Sequence, residues 1–386
     1  MDSQRKNKNI ILQKSEYELL CLIKEQMLGT CTRLINEKEK DEFIKYGKID
    51  GKKAPYALTF APKFDDRVVL HARKGDILNL VCEGRVVGEL KLESKFKNNK
   101  QVTNIFEPHI CSLDNVGKIC ISGEFEIFDS HIKKIKEEFN EVKQRLNAQR
   151  ITALVTSLDP LHRGHERIFS WTIDKADLVV IFLIESYEEN GFDFELKKAY
   201  LDQVIQNYFP HEHIFVFPLR HIDIFHAHLN PALEGVIAKS LGCSKMIVGQ
   251  NHTGLGMHYD QNQAKTILDE FARDYGIEVV ILPEFVFCEK CKILVSTKSC
   301  PHGAHHHAKF NARSLKELLR HGIIPPAIFM REEVSSIILS QIFPNRFKNM
   351  QRIYNDLFPT GAILEHKKDE EFYGQLLRLH QAHFVV

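Results

Sequence analysis

From residue 151 onward, short apolar runs alternate with longer segments of helical length, and few architectures tolerate that alternation. The runs are Ile151-Thr-Ala-Leu-Val155, Leu178-Val-Val-Ile-Phe-Leu-Ile184, Ile214-Phe-Val-Phe-Pro218, Met246-Ile-Val-Gly249 and Ile277-Glu-Val-Val-Ile-Leu282. Between them lie Glu195 to Tyr208, Ala232 to Leu241 and Gln261 to Tyr275. Unbroken hydrophobicity in so short a run marks a strand buried on both faces, as in a parallel sheet covered by helices. The predicted class is α/β, a doubly wound domain that binds ligands at the carboxyl ends of its strands.

Residues 1–147 read differently. Arg67-Val-Val-Leu-His-Ala72, Ile77-Leu-Asn-Leu-Val-Cys82 and Arg85-Val-Val-Gly-Glu-Leu-Lys-Leu92 are short and separated by Lys-Gly-Asp and Glu-Gly turn signals. That pattern predicts a small antiparallel β barrel. Thr32 to Gly47 reads as a helix with a glycine stop, and His131 to Leu146 as a charged, solvated connecting helix. From residue 311 the chain turns helical again: Arg313-Ser-Leu-Lys-Glu-Leu-Leu-Arg-His-Gly322 precedes Pro325-Pro326. The expected division is a barrel domain at 1–147, the α/β domain at 148–310 and a small α-rich domain at 311–386.

Composition excludes several functions. A formal net charge of +1 creates no global field toward nucleic acid or an anionic membrane. No stretch reaches the ~18 apolar residues that a membrane-spanning helix needs. The polar start, Met1-Asp-Ser-Gln-Arg-Lys-Asn-Lys, reads as no secretory leader. Nine cysteines, an odd number, fit reduced thiols and metal better than a disulfide framework. A cytoplasmic protein with small-molecule substrates is expected, with neither nucleic acid nor membrane as partner.

The first α/β run leads straight into Thr156-Ser-Leu-Asp-Pro-Leu-His162-Arg163-Gly164-His165-Glu166, and Glu166 to Ile173 reads as a helix. A strand, a short loop and a helix start make a phosphate site, because first-turn N–H groups lack intrahelical partners and carry partial positive charge. Two imidazoles with a glycine between them add donors suited to a triphosphate. The chemistry suggested is attack on a nucleotide's α-phosphate, with pyrophosphate leaving.

A second strand runs into glycines at Gly249-Gln250-Asn251-His252-Thr253-Gly254-Leu-Gly256, a turn that lets backbone approach a ligand closely. Farther on, Cys288-Glu-Lys-Cys291 and Cys300-Pro-His302-Gly-Ala-His305-His306-His307 carry the ligand types and spacing of a structural zinc knuckle. Three cysteines and one histidine of that string would close the coordination shell.

The strand–loop–helix with paired histidines resembles the nucleotidyltransferase superfamily, and the longer string resembles the ATP-sulfurylase signature Gln-Thr-Arg-Asn-Pro-x-His-Arg-x-His-Glu. Pro160, His162, Arg163, His165 and Glu166 match it; Thr156, Ser157, Leu158 and Asp159 stand where that family has Gln, Thr, Arg and Asn. The Gly249–Gly256 turn resembles the family's Val-Gly-Arg-Asp-His-Ala-Gly-x-Gly, with Gln250 and Asn251 in place of the Arg-Asp pair. Asn311 to Pro326 and Phe329-Met-Arg331-Glu-Glu-Val334 align with the family's closing elements. Between Asp223 and Gly242, where that family carries an arginine-bearing stretch, this chain has no arginine.

The resemblance implies a Rossmann-like nucleotidyltransferase domain with an N-terminal PUA-like β barrel and a small C-terminal α-rich domain. It implies ATP with Mg2+, a structural Zn2+, a homo-oligomer as an option, and sulfate as the acceptor that displaces pyrophosphate. His162, His165 and Arg163 would be catalytic. Thr156, Asp159, Gly164, Gly249, Gln250, Asn251, His252, Gly254 and Gly256 would meet the nucleotide. Thr156, Leu158 and Thr253 would line the acceptor pocket, and Cys288, Cys291, Cys300 and His306 would hold the metal. Loss of the family arginine at Leu158 removes a forked, charge-assisted contact to a dianion. Two alternatives therefore stand beside sulfate adenylation: an adenylyltransferase of the same fold with another acceptor, and an inactive ATP-binding homologue.

Overall fold

A computed structural model of the chain describes residues 8–54, 56–62, 66–98, 109–113, 117–185, 190–222, 224, 231–249, 273–309 and 311–344. The first half holds β1 (Asn9–Leu12), α1 (Lys14–Lys24), α2 (Glu37–Tyr46), β2 (Lys48–Ile49), β3 (Lys52–Lys53), β4 (Tyr56–Phe60) and α3 (Asp66–His71). There follow β5 (Ile77–Cys82), β6 (Arg85–Lys97), β7 (His109–Leu113), β8 (Ile119–Ile127) and α4 (His131–Arg145). The α/β portion holds β9 (Ile151–Thr156), α5 (Arg163–Ile173), β10 (Leu178–Ile184), α6 (Phe194–Tyr208), β11 (Ile214–Leu219), α7 (Pro231–Ser240), β12 (Lys245–Gly249) and β13 (Glu278–Leu282). Last come β14 (Phe285–Cys288), β15 (Ile293–Ser296), β16 (His307–Ala308), α8 (Ala312–Arg320) and α9 (Glu332–Ile342). The helix expected over Gln261 to Tyr275 lies almost wholly outside the described residues.

The chain divides into two compact units, one of Met1–Val155, Ala176–Glu185 and Phe215–Ile281, the other of Thr156–Lys175, Ser186–Ile214 and Leu282–Val386. The first unit carries two sheets. One has strand order β1-β5-β6-β8-β4-β7. Its centre is antiparallel, as the turn signals required, but β1 pairs with β5 and β4 with β7 in parallel. The other is the expected α/β sheet, ordered β11-β10-β9-β12-β13, with β12 parallel to β9 in the register Met246↔Ala153. Strand order reverses between β9 and β12, so two adjacent carboxyl ends diverge there, the topological position where open α/β sheets bind ligands. All seven residues of β10 are buried, which is why its sequence lacks any polar alternation.

One core runs through this unit, from Ile10 and Leu20 through Phe60 and Leu90 to Phe182, Phe217 and Ile237. Helix α4 belongs to it: Ile132 and Phe139 are buried, and the Phe139 ring meets Phe215 edge-on at 5.3 Å. The solvated reading of α4 is therefore corrected, since its charged residues cover only the outer face. A second correction concerns Asp66–His71, a helix and not a strand. Val69 is buried within it and Ala72 just past its end, three apart as on one helix face, and His71 Nδ1 donates to the Arg67 carbonyl at 2.7 Å. Helix α2 starts at Glu37, because Asn36 accepts from Glu39 N–H while the Glu39 side chain returns the bond, and Gly47 ends it at φ 62°.

The middle of the six-stranded sheet depends on one glycine. Gly123 opposes Leu92 where the β6–β8 register shifts, and its φ is 151°. A Cβ there would lie 2.0 Å from the Lys91 carbonyl oxygen. Gly123→Ala is therefore expected to destabilise the chain by about 2–4 kcal/mol. Urea unfolding followed by circular dichroism checks it, and an unchanged midpoint would show that the bulge can move.

Candidate functional site

The second unit carries the histidine motif and the cysteine cluster. Helix α5 begins three residues earlier than the sequence pattern suggested, with His162 as its N-cap at φ −139°, ψ 169°. His165 thus lies in the first turn. The His162 backbone N–H donates to His165 Nδ1 at 3.3 Å, closing a capping box in which an imidazole stands where Glu or Gln is usual. An Nδ1 that accepts a hydrogen bond leaves the His165 proton on Nε2, as a donor. The two rings stack with centroids 3.8 Å apart and planes 26° from parallel.

Burial sets their charge. It pushes His162 down to about 4, and it holds His165 well below the ordinary imidazole value, with His162 itself adding to the shift. Both rings are neutral at pH 7, so they offer a phosphate oriented N–H dipoles and no net charge.

The loop leading to them is fixed on several sides. Asp159 Oδ2 accepts from Lys316 Nζ of α8 at 2.8 Å, and Asp159 Oδ1 accepts from the Phe192 N–H at 3.1 Å. Both charged side chains of this pair are almost wholly buried, 4% and 3% exposed. The Tyr200 hydroxyl of α6 donates to the Leu158 carbonyl, and Leu158 N–H donates to Thr156 Oγ1 at 3.3 Å. Leu158 is 1% exposed and adopts φ 48°, a left-handed conformation that a leucine occupies only under constraint. The Asp159–Pro160 peptide is cis.

Beyond the histidines, Glu166 receives a fork from Arg331, Nε to Oε1 at 3.0 Å and Nη2 to Oε2 at 2.8 Å, and a third bond from Arg163 Nη1 at 3.1 Å. Arg163 Nε also donates to the Ala327 carbonyl at 3.2 Å, and its backbone N–H to Phe329 at 2.8 Å. The Arg331 guanidinium lies 3.3 Å over the Tyr208 ring. Through these contacts Arg163 clamps the start of α5 onto residues 326–331. They likewise give Asp159 an internal partner where a nucleotide contact was expected. Gly164 is buried in the first turn, next to the paired rings. Gly249 ends β12 with open space where a Cβ would stand. Gln250, Asn251, His252, Thr253, Gly254 and Gly256 lie outside the described residues.

The cysteine cluster is built on a small antiparallel sheet, β15-β14-β16, with Cys288 at the end of the middle strand. Sγ of Cys288, Cys291 and Cys300 and Nδ1 of His302 all lie within 4.8 Å of one another. His302 Nδ1 is 3.4, 3.3 and 3.6 Å from those three sulfurs, and Cys291 and Cys300 Sγ are 3.9 Å apart. A tetrahedron with arms of about 2.3 Å to sulfur and about 2.0 Å to nitrogen has edges of about 3.8 and 3.5 Å, so these donors fit zinc. The fourth corner is His302; the His306 expected there is not among the converging donors, and its ring stands edge-on 6.2 Å from that of His302. A close turn, Cys300-Pro-His302, reaches the cluster with one intervening residue, where the family resemblance had pointed to His306, with His305 nearly as good. Burial opposes ionisation of Cys288, but hydrogen bonds from the Cys291 and Lys290 N–H groups and from the Cys300 and Cys291 thiols together bring the thiol to about 6.

Sequence reasoning singled out neither Lys316 nor Tyr200, and only long-range contacts reveal them: 157 and 42 positions separate them from their partners in the loop. Arg331 was visible as part of a closing string, without its partner.

The family profile described as ATP-sulfurylase matches residues 130–341. A sulfate adenylyltransferase of Staphylothermus marinus is 31% identical over 306 residues, covering 74% of this chain and 78% of that protein. One from Chloroflexus aurantiacus is 24% identical over 278 residues, covering 68% and 72%. Among solved structures, a hexameric APS kinase from Thiobacillus denitrificans superposes with a TM-score of 0.65 at 18% identity. That match covers 88% of this chain but only 63% of the other, and at such identity it speaks for the fold alone. No helix among the described residues is long and apolar enough to cross a membrane. From α4 to α9, through both the histidine loop and the Arg331 clamp, the match is continuous, and the chain belongs to the ATP-sulfurylase family of nucleotidyltransferases.

Proposed function

We propose that the chain is a sulfate adenylyltransferase, converting ATP and sulfate to adenosine 5′-phosphosulfate and pyrophosphate or running the reverse reaction. A sulfate oxygen would form a bond to the α-phosphorus as the bond from that phosphorus to the bridging oxygen breaks, and the electron pair leaves with pyrophosphate. The stacked pair His162 and His165 at the start of α5 is the observation that carries this reading. Neutral imidazoles suit this chemistry, because they donate hydrogen bonds to charge that develops on the leaving group, and the fixed fold spends no reorganisation on aiming them. Magnesium arriving with the triphosphate supplies the positive charge that these rings lack. The Gly249–Gly256 turn and Thr156 would hold the remainder of the nucleotide, with Thr253 and Leu158 at the acceptor. The PUA-like barrel, the division at 147 and 310, a cytoplasmic setting and homo-oligomeric assembly are parts of the same proposal, supported by family membership.

Leu158 favours a second reading. Its side chain is buried and offers neither charge nor donor at the position where sulfate-binding relatives carry arginine. An acceptor less charged or larger than sulfate fits such a wall better. Pyrophosphate release from MgATP separates the readings. Release that rises with sulfate supports the first, release that needs another acceptor the second, and ATP binding without release an inactive homologue. His162→Ala is expected to lower release at least about a hundredfold in either catalytic reading; full retained activity removes the histidine pair from the mechanism.

The burial of His162 also predicts a stability signature. Unfolded, the ring takes a proton near its ordinary value of 6.5, and folded only at about 4. Between those values the unfolded chain binds more protons, so stability rises with pH from about 4 to 6.5 and then levels. In urea unfolding at about pH 5 and about pH 7.5, His162→Gln should lose about 1–2 kcal/mol of the wild-type difference. Equal differences in both proteins would mean the ring titrates normally.

We further propose that Cys288, Cys291, Cys300 and His302 hold one structural zinc, which would link β14, β15 and the His302 turn and keep no open position for substrate. His302→Ala should lose the metal on gel filtration while His306→Ala retains about one zinc per chain by elemental analysis. The opposite pattern would return the fourth place to His306.

A further inference from the structure

The loop that presents the paired histidines contains a single acid, Asp159, three residues before His162. A carboxylate so close to a polyphosphate site opposes binding, and the fold does not release it to solvent. It is buried against Lys316, with its second oxygen on the Phe192 N–H. The neighbouring groups supply little else: both imidazoles are neutral, and Glu166 cancels one of the two charges that Arg163 and Arg331 bring to it. Holding the loop's shape would need no charge, since a neutral amide could accept from Phe192 equally well. A buried ion pair is an expensive way to fix geometry, because both ions lose their hydration.

We propose that Lys316 is a positioning and charge-balancing residue: its ammonium cancels Asp159, so that the turn carrying His162 and His165 can receive a polyphosphate. The proposal deepens the reading that ATP's phosphates meet those two rings, and it rests on that reading. It also separates two roles that a single distance cannot. If the 2.8 Å bond serves structure alone, breaking it from either end does the same damage. If it serves charge, the two ends act in opposite directions. Removing Lys316 leaves an uncompensated anion beside the phosphates, whereas removing the Asp159 charge leaves an uncompensated cation.

The test is MgATP affinity by isothermal titration on the full chain, with thermal unfolding recorded for every variant. Lys316→Met is expected to bind at least about tenfold more weakly than wild type, while Asp159→Asn binds about threefold more tightly, unequal and opposite as fixed charges near a polyanion require. The double variant, which restores neutrality without the ion pair, should return to within about threefold of wild type. Lys316→Arg keeps the charge and should stay within about twofold. Equal weakening in the two single variants, or no recovery in the double one, overturns the proposal.

Should Lys316→Met fail to fold, Asp159→Asn compared with the double variant reads the same ammonium in a background without a buried carboxylate. Weaker binding in the double variant supports the proposal, and equal binding overturns it. His162→Ala, titrated alongside, reports on the underlying reading separately: unchanged MgATP affinity in that variant moves the nucleotide elsewhere, and the role of Lys316 falls with it.

Discussion

Asp159 and Lys316 meet deep inside the second unit, and the charge balance of the histidine loop depends on that meeting. Both are nearly inaccessible to water, so neither charge has an alternative partner in solvent, and separating them would strand an ion in a low-dielectric interior. The bond spans the interval from the loop to α8, closing much of the unit with one contact. Leu158 next door shows what that closure imposes: a buried leucine held at φ 48° by the Tyr200 hydroxyl on its carbonyl and by its own N–H on Thr156. Left alone, a leucine would leave this region at a gain of order 1 kcal/mol.

The same unit surrounds its other buried acid on α5 with cations. Glu166, buried in α5, takes three hydrogen bonds from two arginines, and Arg331 spreads its outer face on Tyr208. Such forked pairs bring geometric precision along with energy. What remains at the start of α5 is a set of dipoles: two neutral rings and the amides of a helix terminus. Dipoles fixed in a dry site can favour a developing charge without a bare cation that would bind every passing anion. Leu158, buried just before them in the loop, adds no charge of its own.

Much of this is legible in the sequence, and the parts that are not share a cause. Buried β10 and the loop after β9 are plain because their signals are local: seven consecutive apolar residues, or two histidines around a glycine. The start of α5 is obscured by three residues because Pro160 and Gly164 look like loop punctuation, while the helix begins on a histidine capping box that substitutes imidazole for carboxamide. Asp66–His71 misleads for the opposite reason, since adjacent valines favour strands until burial selects Val69 and Ala72 on one helical face. His302 escapes notice because the turn after Cys300 folds back within two residues, which no spacing rule encodes. Lys316 cannot be found at all from a string in which it is one cation among several on an amphipathic helix.

The cysteine cluster and the histidine loop are joined by more than membership of one unit. Phe287, next to Cys288 on β14, meets the ring of Phe329 edge-on at 6.3 Å. The Phe329 carbonyl accepts the Arg163 N–H, the first amide of α5, and Arg163 reaches the Ala327 carbonyl through its side chain. The strand that ends on Cys288 therefore braces the segment on which the histidine helix begins. Aromatic contacts of this kind are worth about 0.5–1.5 kcal/mol each beyond the area they bury. That is too little to hold α5 alone but enough to set the position of a segment already fastened by two hydrogen bonds. If the four converging donors hold a metal, no coordination position is left open, and the cluster would then act through Phe287 and Phe329, as rigidity delivered to the amide end of α5.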